Sequence, residues 1–364
     1  MRAPSRSIPS LDGLRALSVA MVILAHAVGL KSGRGAFFPF PQLSWLGQSG
    51  VDIFFVISGF LITYLLLKEN DSKGTIRLKN FYFRRFFRIF PPFYVYLALI
   101  MVLWATGRVT QNSRDLISSA TYTWDYRRNG QDWLLGHIWS LSVEEQFYLL
   151  WPPCLLLLGK KRSTYMALAV ILLSPVSRFL TYLFAPAWRG AEGIMLHTRL
   201  DTIMFGCALA LLWREERFNR WVDKLLEPSM FALSVVYILI LAPCLSSLFE
   251  GRYDWPIGYT LRGTLISIVL LYVVRKPTSL PGRILNLRFL RHIGIISYSL
   301  YLWQQMFTGP YSFLFPLNVA VIFACAELSY VLVERPALRL RGLIEERPTK
   351  VPTTSDSSRE ADTT

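Results

Sequence analysis

The sequence predicts an all-α integral membrane protein, a bundle of about ten transmembrane helices with both termini cytoplasmic. Three observations carry this. Of 364 residues, 53% are hydrophobic and only 17% charged, too apolar for a soluble domain of this length. Apolar runs of membrane-crossing length recur along the whole chain. Of the 39 Lys and Arg, 27 fall in the two terminal tails and every second loop, against 9 in the alternate loops. That bias is the positive-inside rule, which puts the basic loops and both termini in the cytoplasm. The net charge of +15 therefore reports topology first and anionic lipid or ligand second, and nucleic-acid binding is not expected.

The first span, near 10–30, carries Asp12, Arg15 and His26. Ionisable groups in a bilayer cost roughly 2.5–3.5 kcal/mol each and mark functional sites by default. Arg15 and His26 stand 11 residues apart, so one helix face carries both, roughly 16 Å apart along its axis. Histidine is the usual general base near neutrality, though it could equally bond a neighbouring helix. Arg2, Arg6 and Ala25-His26-Ala27 imitate a cleaved signal peptide. Asp12, Arg15 and the train of later spans argue against cleavage.

The second span, 44–67, reads GVDIFFVISGFLIT, with Asp52 a candidate partner for a buried cation and Ser58-Gly59 suited to close helix approach. FYFRRFFRIFPP leads into the third, 87–106. Arg85 and Arg88 share a helix face, with Arg84 beside them, and guanidinium forks bind phosphate bidentately. Positive-inside flanking is the plainer reading. Pro91-Pro92 predicts a kink there. The 107–136 connection is long enough for a lid or binding loop. HIWSLSVEEQFYLLWP opens the fourth span, 137–158, with His137, Glu144, Glu145 and Gln146; paired carboxylates there need partners, and a structural ion pair is the plain alternative.

A fifth span follows at 164–184. The short sixth, 199–213, places Arg199 and Asp201 at an outer mouth, able to hold sugar hydroxyls or merely each other. Spans at 229–249 and 258–274 are plainly apolar. The ninth, 292–309, carries Tyr298, Tyr301 and Trp303, an aromatic girdle in the simplest view. The tenth, 312–333, ends at Glu334, able to pair a neighbouring arginine. One membrane domain, 1–340, is expected, then a disordered tail, 341–364. The four cysteines are scattered, so neither disulfide nor metal is expected.

LDGLRA with its later His, GVDIFFVISGFLIT, RRFFRIFP, HIWSLSVEEQFYLLWP, RLDTIMFG, ISYSLYLW and VERP occur in that order. The set resembles the acyltransferase 3 family of bacterial integral membrane proteins, which includes O-antigen O-acetylases, peptidoglycan acyltransferases and macrolide acyltransferases. The resemblance implies that His26 serves acyl transfer as general base or transfer residue, with Arg15 its Arg-x10-His partner and Glu144 the conserved-motif carboxylate. It implies that Arg85 and Arg88, with Arg15, engage acyl-coenzyme A, acetyl-coenzyme A by default. Asp12, Asp52, His137, Arg199, Asp201 and Tyr298 are candidate substrate contacts. No metal is implied. Gln304 departs from relatives that place a histidine after YLW. The SGNH hydrolase domain of some relatives has no counterpart here, so the membrane domain is expected to act alone or to pass the acyl group to a partner.

The expected reaction moves an acyl group from cytosolic acyl-coenzyme A to a hydroxyl of a surface glycan, such as lipopolysaccharide O-antigen, at the bacterial inner membrane. The rival expectations are a polytopic exporter whose intramembrane charges line a pathway, and a non-catalytic envelope partner.

Overall fold

The structure, a computed structural model, describes residues 8–28, 43–127, 132–189, 191, 193–311 and 315–345. Arg2, Arg6 and the tail beyond 345 lie outside the described residues. Helices account for every regular element among them, without a strand. They are α1 (Pro9–Val28), α2 (Leu43–Lys73), α3 (Leu78–Ala105), α4 (Ser113–Ala120), α5 (Trp133–Gly136), α6 (Ile138–Phe184), α7 (Leu196–Leu212) and α8 (Glu216–Leu225). There follow α9 (Pro228–Val236), α10 (Ala242–Leu248), α11 (Tyr259–Arg275), α12 (Leu280–Leu285), α13 (Arg288–Ile295), α14 (Ser297–Trp303), α15 (Leu317–Ser329) and α16 (Arg335–Glu345).

Among the described residues, seven stretches are long and apolar enough to cross a membrane, against the ten expected: Pro9–Ala27, Leu43–Lys73, Leu78–Ala105, Trp133–Phe184, Pro228–Leu248, Asp254–Arg275 and Leu317–Glu345. The differences have local causes. The expected fourth and fifth spans are continuous in α6 but are two helices meeting at a kink at Gly159, whose φ of 68° leaves helical space, so the expected boundary between them stands. The sixth, α7, has 17 residues and is wrapped by α2 and α6, so protein rather than lipid surrounds it. The ninth is broken into α13, α14 and a 3-10 turn at Gln304–Phe307. Arg341–Glu345, expected in the tail, continue α16.

The bundle centre is α1, α2 and α7. Gly59 of α2 and Gly206 of α7 let the backbones touch: a Cβ on Gly59 would lie 2.0 Å from the Ile203 carbonyl oxygen, and one on Gly206 2.0 Å from that of Val56. Large apolar side chains instead point outward from the rim. Leu157 is 81%, Leu172 74% and Phe184 79% exposed, an arrangement suited to lipid as solvent. The 107–136 connection is tied down: Tyr94 donates to the Ala120 carbonyl at 2.9 Å and Tyr96 to that of Leu134 at 2.7 Å. Its residues 128–131 lie outside the described residues.

Candidate active site

α1 presents Arg15 to one cavity and His26 to another, as the three-turn spacing requires. The Arg15 cavity encloses about 770 Å³, part of it open to the surroundings. Arg85 and Arg88 of α3, Glu144, Glu145 and Tyr148 of α6, and Tyr298 of α14 also line it. The i,i+3 spacing turns Arg85 and Arg88 inward together. Arg84, on another face, pairs instead with Glu69 at 3.2 Å.

The charges in this cavity are unequally satisfied. Arg88 pairs with Glu334 at 3.3 Å, the pairing anticipated for that carboxylate. The Arg85 guanidinium lies 4.0 Å from the Tyr148 ring centroid. The Nε of Arg15 and that of Arg85 are buried without a hydrogen-bond partner among the described residues. Glu144 accepts from Ser58 Oγ at 2.7 Å, and Tyr148 donates to the same Oγ at 3.1 Å. The cavity thus offers two guanidiniums to an anion and keeps the Glu144 carboxylate occupied by a hydroxyl, with Glu145 also on its wall.

The second cavity, about 830 Å³ counting the part open to the surroundings, is lined by His26, His137, Gln48, Trp139, Tyr301 and Gln305, among others. His26 Nδ1 lies 2.9 Å from Gln304 Oε1. A carboxamide oxygen only accepts, so this bond places the proton on Nδ1 and leaves Nε2 basic. His137 repeats the arrangement one residue along, with Nδ1 2.6 Å from Gln305 Oε1. Its Nε2 is buried with no partner among the described residues. Trp133, from the long connection, meets His26 edge-on at 5.4 Å between ring centroids and anchors its indole N–H on the Gln305 carbonyl.

Four expected contact residues, Asp12, Asp52, Arg199 and Asp201, lie away from both cavities, and Asp52 there is the partner of buried cations that its sequence position suggested. Arg199 and Asp201 are not at an outer mouth; both are fully buried, as is Asp52. Asp52 bridges Arg199 and Arg262, the latter at 2.6 Å, and Arg262 also pairs with Asp254. Asp201 pairs with Arg178 at 3.0 Å and accepts from Thr260 Oγ1 at 2.8 Å. Three carboxylates therefore balance three guanidiniums inside α2, α6, α7, α11 and the turn before it. Burial of single charges would be prohibitive, which is why they meet. Asp12 lines none of these cavities; its backbone instead approaches Gly294. Tyr298 lines the arginine cavity but spends its hydroxyl on the Ile89 carbonyl at 3.0 Å.

Sequence reasoning missed Gln305, Ser58 and Ser140 as site residues, treated Tyr301 as girdle, and recorded Gln304 only as a lost base. Arg178 and Arg262 carried a usable signal, since a cation inside an apolar run demands a partner. The glutamines carried none: polar amides beside YLW look the same whether or not an imidazole reaches them.

Comparison with known proteins places the chain. An acyltransferase domain model, that of the acyltransferase 3 family, matches residues 8–333. The chain belongs to that family of membrane acyltransferases. Peptidoglycan O-acetyltransferase OatA of Listeria monocytogenes is 32% identical over 94% of this chain and 57% of its own length. A putative O-acetyltransferase of Staphylococcus aureus is 31% identical over 95% of this chain and 60% of its own. Putative peptidoglycan O-acetyltransferase YrhL of Bacillus subtilis is 31% identical over 93% and 56%. The chain thus spans less than two thirds of the length of these relatives. No solved structure matches it.

Proposed function

We propose that this protein moves an acyl group, acetyl by default, from acyl-coenzyme A on the basic cytosolic side to a glycan hydroxyl on the other side of the bacterial inner membrane. One observation carries the reading: α1 ends in two cavities, an arginine-lined one holding Arg15 and a histidine-lined one holding His26. Arg85 and Arg15, with Arg88, hold the phosphates of the donor. The pantetheine arm is long and thin, and suits the roughly 16 Å between Arg15 and His26.

His26 Nε2 takes the proton of the acceptor hydroxyl, and that oxygen attacks the thioester carbonyl carbon. The C–S bond breaks, the coenzyme A thiolate leaves, and the imidazolium returns its proton to the sulfur. Gln304 holds the ring in the tautomer this needs, so the position where relatives carry histidine orients the base here. The unpartnered Nε2 of His137, an acceptor, takes a second acceptor hydroxyl, which favours a polyhydroxylated substrate. The names of the relatives favour peptidoglycan over O-antigen as that glycan. Purified protein in proteoliposomes with labelled acetyl-coenzyme A and muropeptides tests this: acetylated product with stoichiometric free coenzyme A is expected, whereas substrate flux without coenzyme A release would make the protein an exporter.

A further inference from the structure

The two cavities share two walls, Val51 of α2 and Tyr301 of α14, and among their lining residues only these two belong to both. On the proposed function, the acyl group travels from the arginine cavity to His26, so it passes between these side chains. We infer that Val51 and Tyr301 form the aperture between the two cavities and set the width of the acyl group the protein transfers, passing straight chains and rejecting branched ones.

The aperture is held rigid from both sides. Tyr301 bonds Ser140 Oγ, which lines the arginine cavity, and donates at 3.2 Å to the carbonyl of His137, which lines the other. Its ring meets Phe54 edge-on, 6.0 Å between centroids. Val51 is β-branched and so confined to one rotamer in a helix. Its neighbour Gly50 sits so near α1 that a Cβ there would lie 2.6 Å from the Ser18 carbonyl oxygen, so the backbone has no room to shift sideways. Side-chain volume at 51 is therefore the free variable. Tyr301 is 6% and Val51 7% exposed, so neither gains space by swinging into solvent.

Val51→Ala should admit branched acyl groups and Val51→Ile should exclude them. A methylene in a tight apolar site discriminates by about 10- to 200-fold in rate constant ratios. The experiment supplies acetyl- and isobutyryl-coenzyme A together to wild type and both variants in nanodiscs and reads the isobutyryl-to-acetyl product ratio by mass spectrometry. The ratio is internal to each preparation, so reduced folding of a variant does not distort it. A rise of about tenfold or more for Val51→Ala and a fall for Val51→Ile are expected. Transfer with an unmoved ratio, or a ratio moving the same way in both variants, overturns the aperture. No transfer by wild type from either donor overturns the transferase reading, and the aperture with it.

Discussion

His26 Nδ1 and Gln304 Oε1 lie 2.9 Å apart, although 278 residues separate them in the chain. The contact joins α1 to the 3-10 turn after α14 and leaves His26 Nε2 as the basic nitrogen. Gln304 acts as a positioning residue, and its removal should affect turnover rather than donor binding. Gln304→Leu is expected to lower kcat by about tenfold or more with KM for acetyl-coenzyme A little changed. Gln304→Glu, which still accepts from Nδ1–H, should recover most of it. An equal loss in both variants would make the glutamine merely structural.

The arginine cavity makes a complementary prediction. Replacing Arg85 and Arg88 together by Gln should raise the Kd for coenzyme A by tenfold or more, since each charge-assisted bond contributes about 1.5–3 kcal/mol. Arg84→Gln should leave it nearly unchanged, because Arg84 is engaged with Glu69 outside the cavity. Isothermal titration of the three proteins decides, and equal affinities would remove the cradle.

The buried charge cluster is expected to matter for stability. Asp52→Ala leaves Arg199 and Arg262 facing each other without their common carboxylate. Such a break typically costs about 3–5 kcal/mol. Thermal unfolding in nanodiscs should show a large fall in Tm, and a near-wild-type Tm would mean the cluster is fluid.

Asp125, in the long connection, ties α6 to α7. It accepts from Gln146 Nε2 at 2.8 Å and from the Leu196 N–H at 3.2 Å, and burial pushes its carboxyl up to about 6. Burial raises Asp132 as well. A raised carboxyl means the folded protein binds more protons than the unfolded one between about pH 4 and 6. Stability from Asp125 is thus complete below the unfolded value near 4 and lost as pH rises through about 6, and Asp132 acts in the same direction. Tm measured across that range should fall more steeply for wild type than for Asp125→Asn. Identical slopes would count against a buried, protonated Asp125.

What the sequence made legible follows the periodicities. Helix repeat put Arg15 and His26 on one stripe and Arg85 and Arg88 on one face, and Gly59 was readable as a close approach. Hydropathy found the apolar runs and the basic break at 159–163, where Gly159 leaves helical space, but not the turn at Ile296, which interrupts a helix without lowering apolar content. Arg199 and Asp201 looked like a local pair because a single residue separates them, yet each takes its partner from another helix. The Gln304 and Val51–Tyr301 relationships depend on how distant segments dock, which no local pattern encodes.

The central claim is that His26 performs the transfer, and it is tested most directly by the acetyl content of the acceptor. Cells expressing wild type or His26→Ala at equal membrane abundance should be compared by mass spectrometry of their wall glycan. The account predicts an acetyl mass increment with wild type and its loss with His26→Ala, while coenzyme A binding by the purified variant persists. Undiminished acetylation by His26→Ala would contradict it.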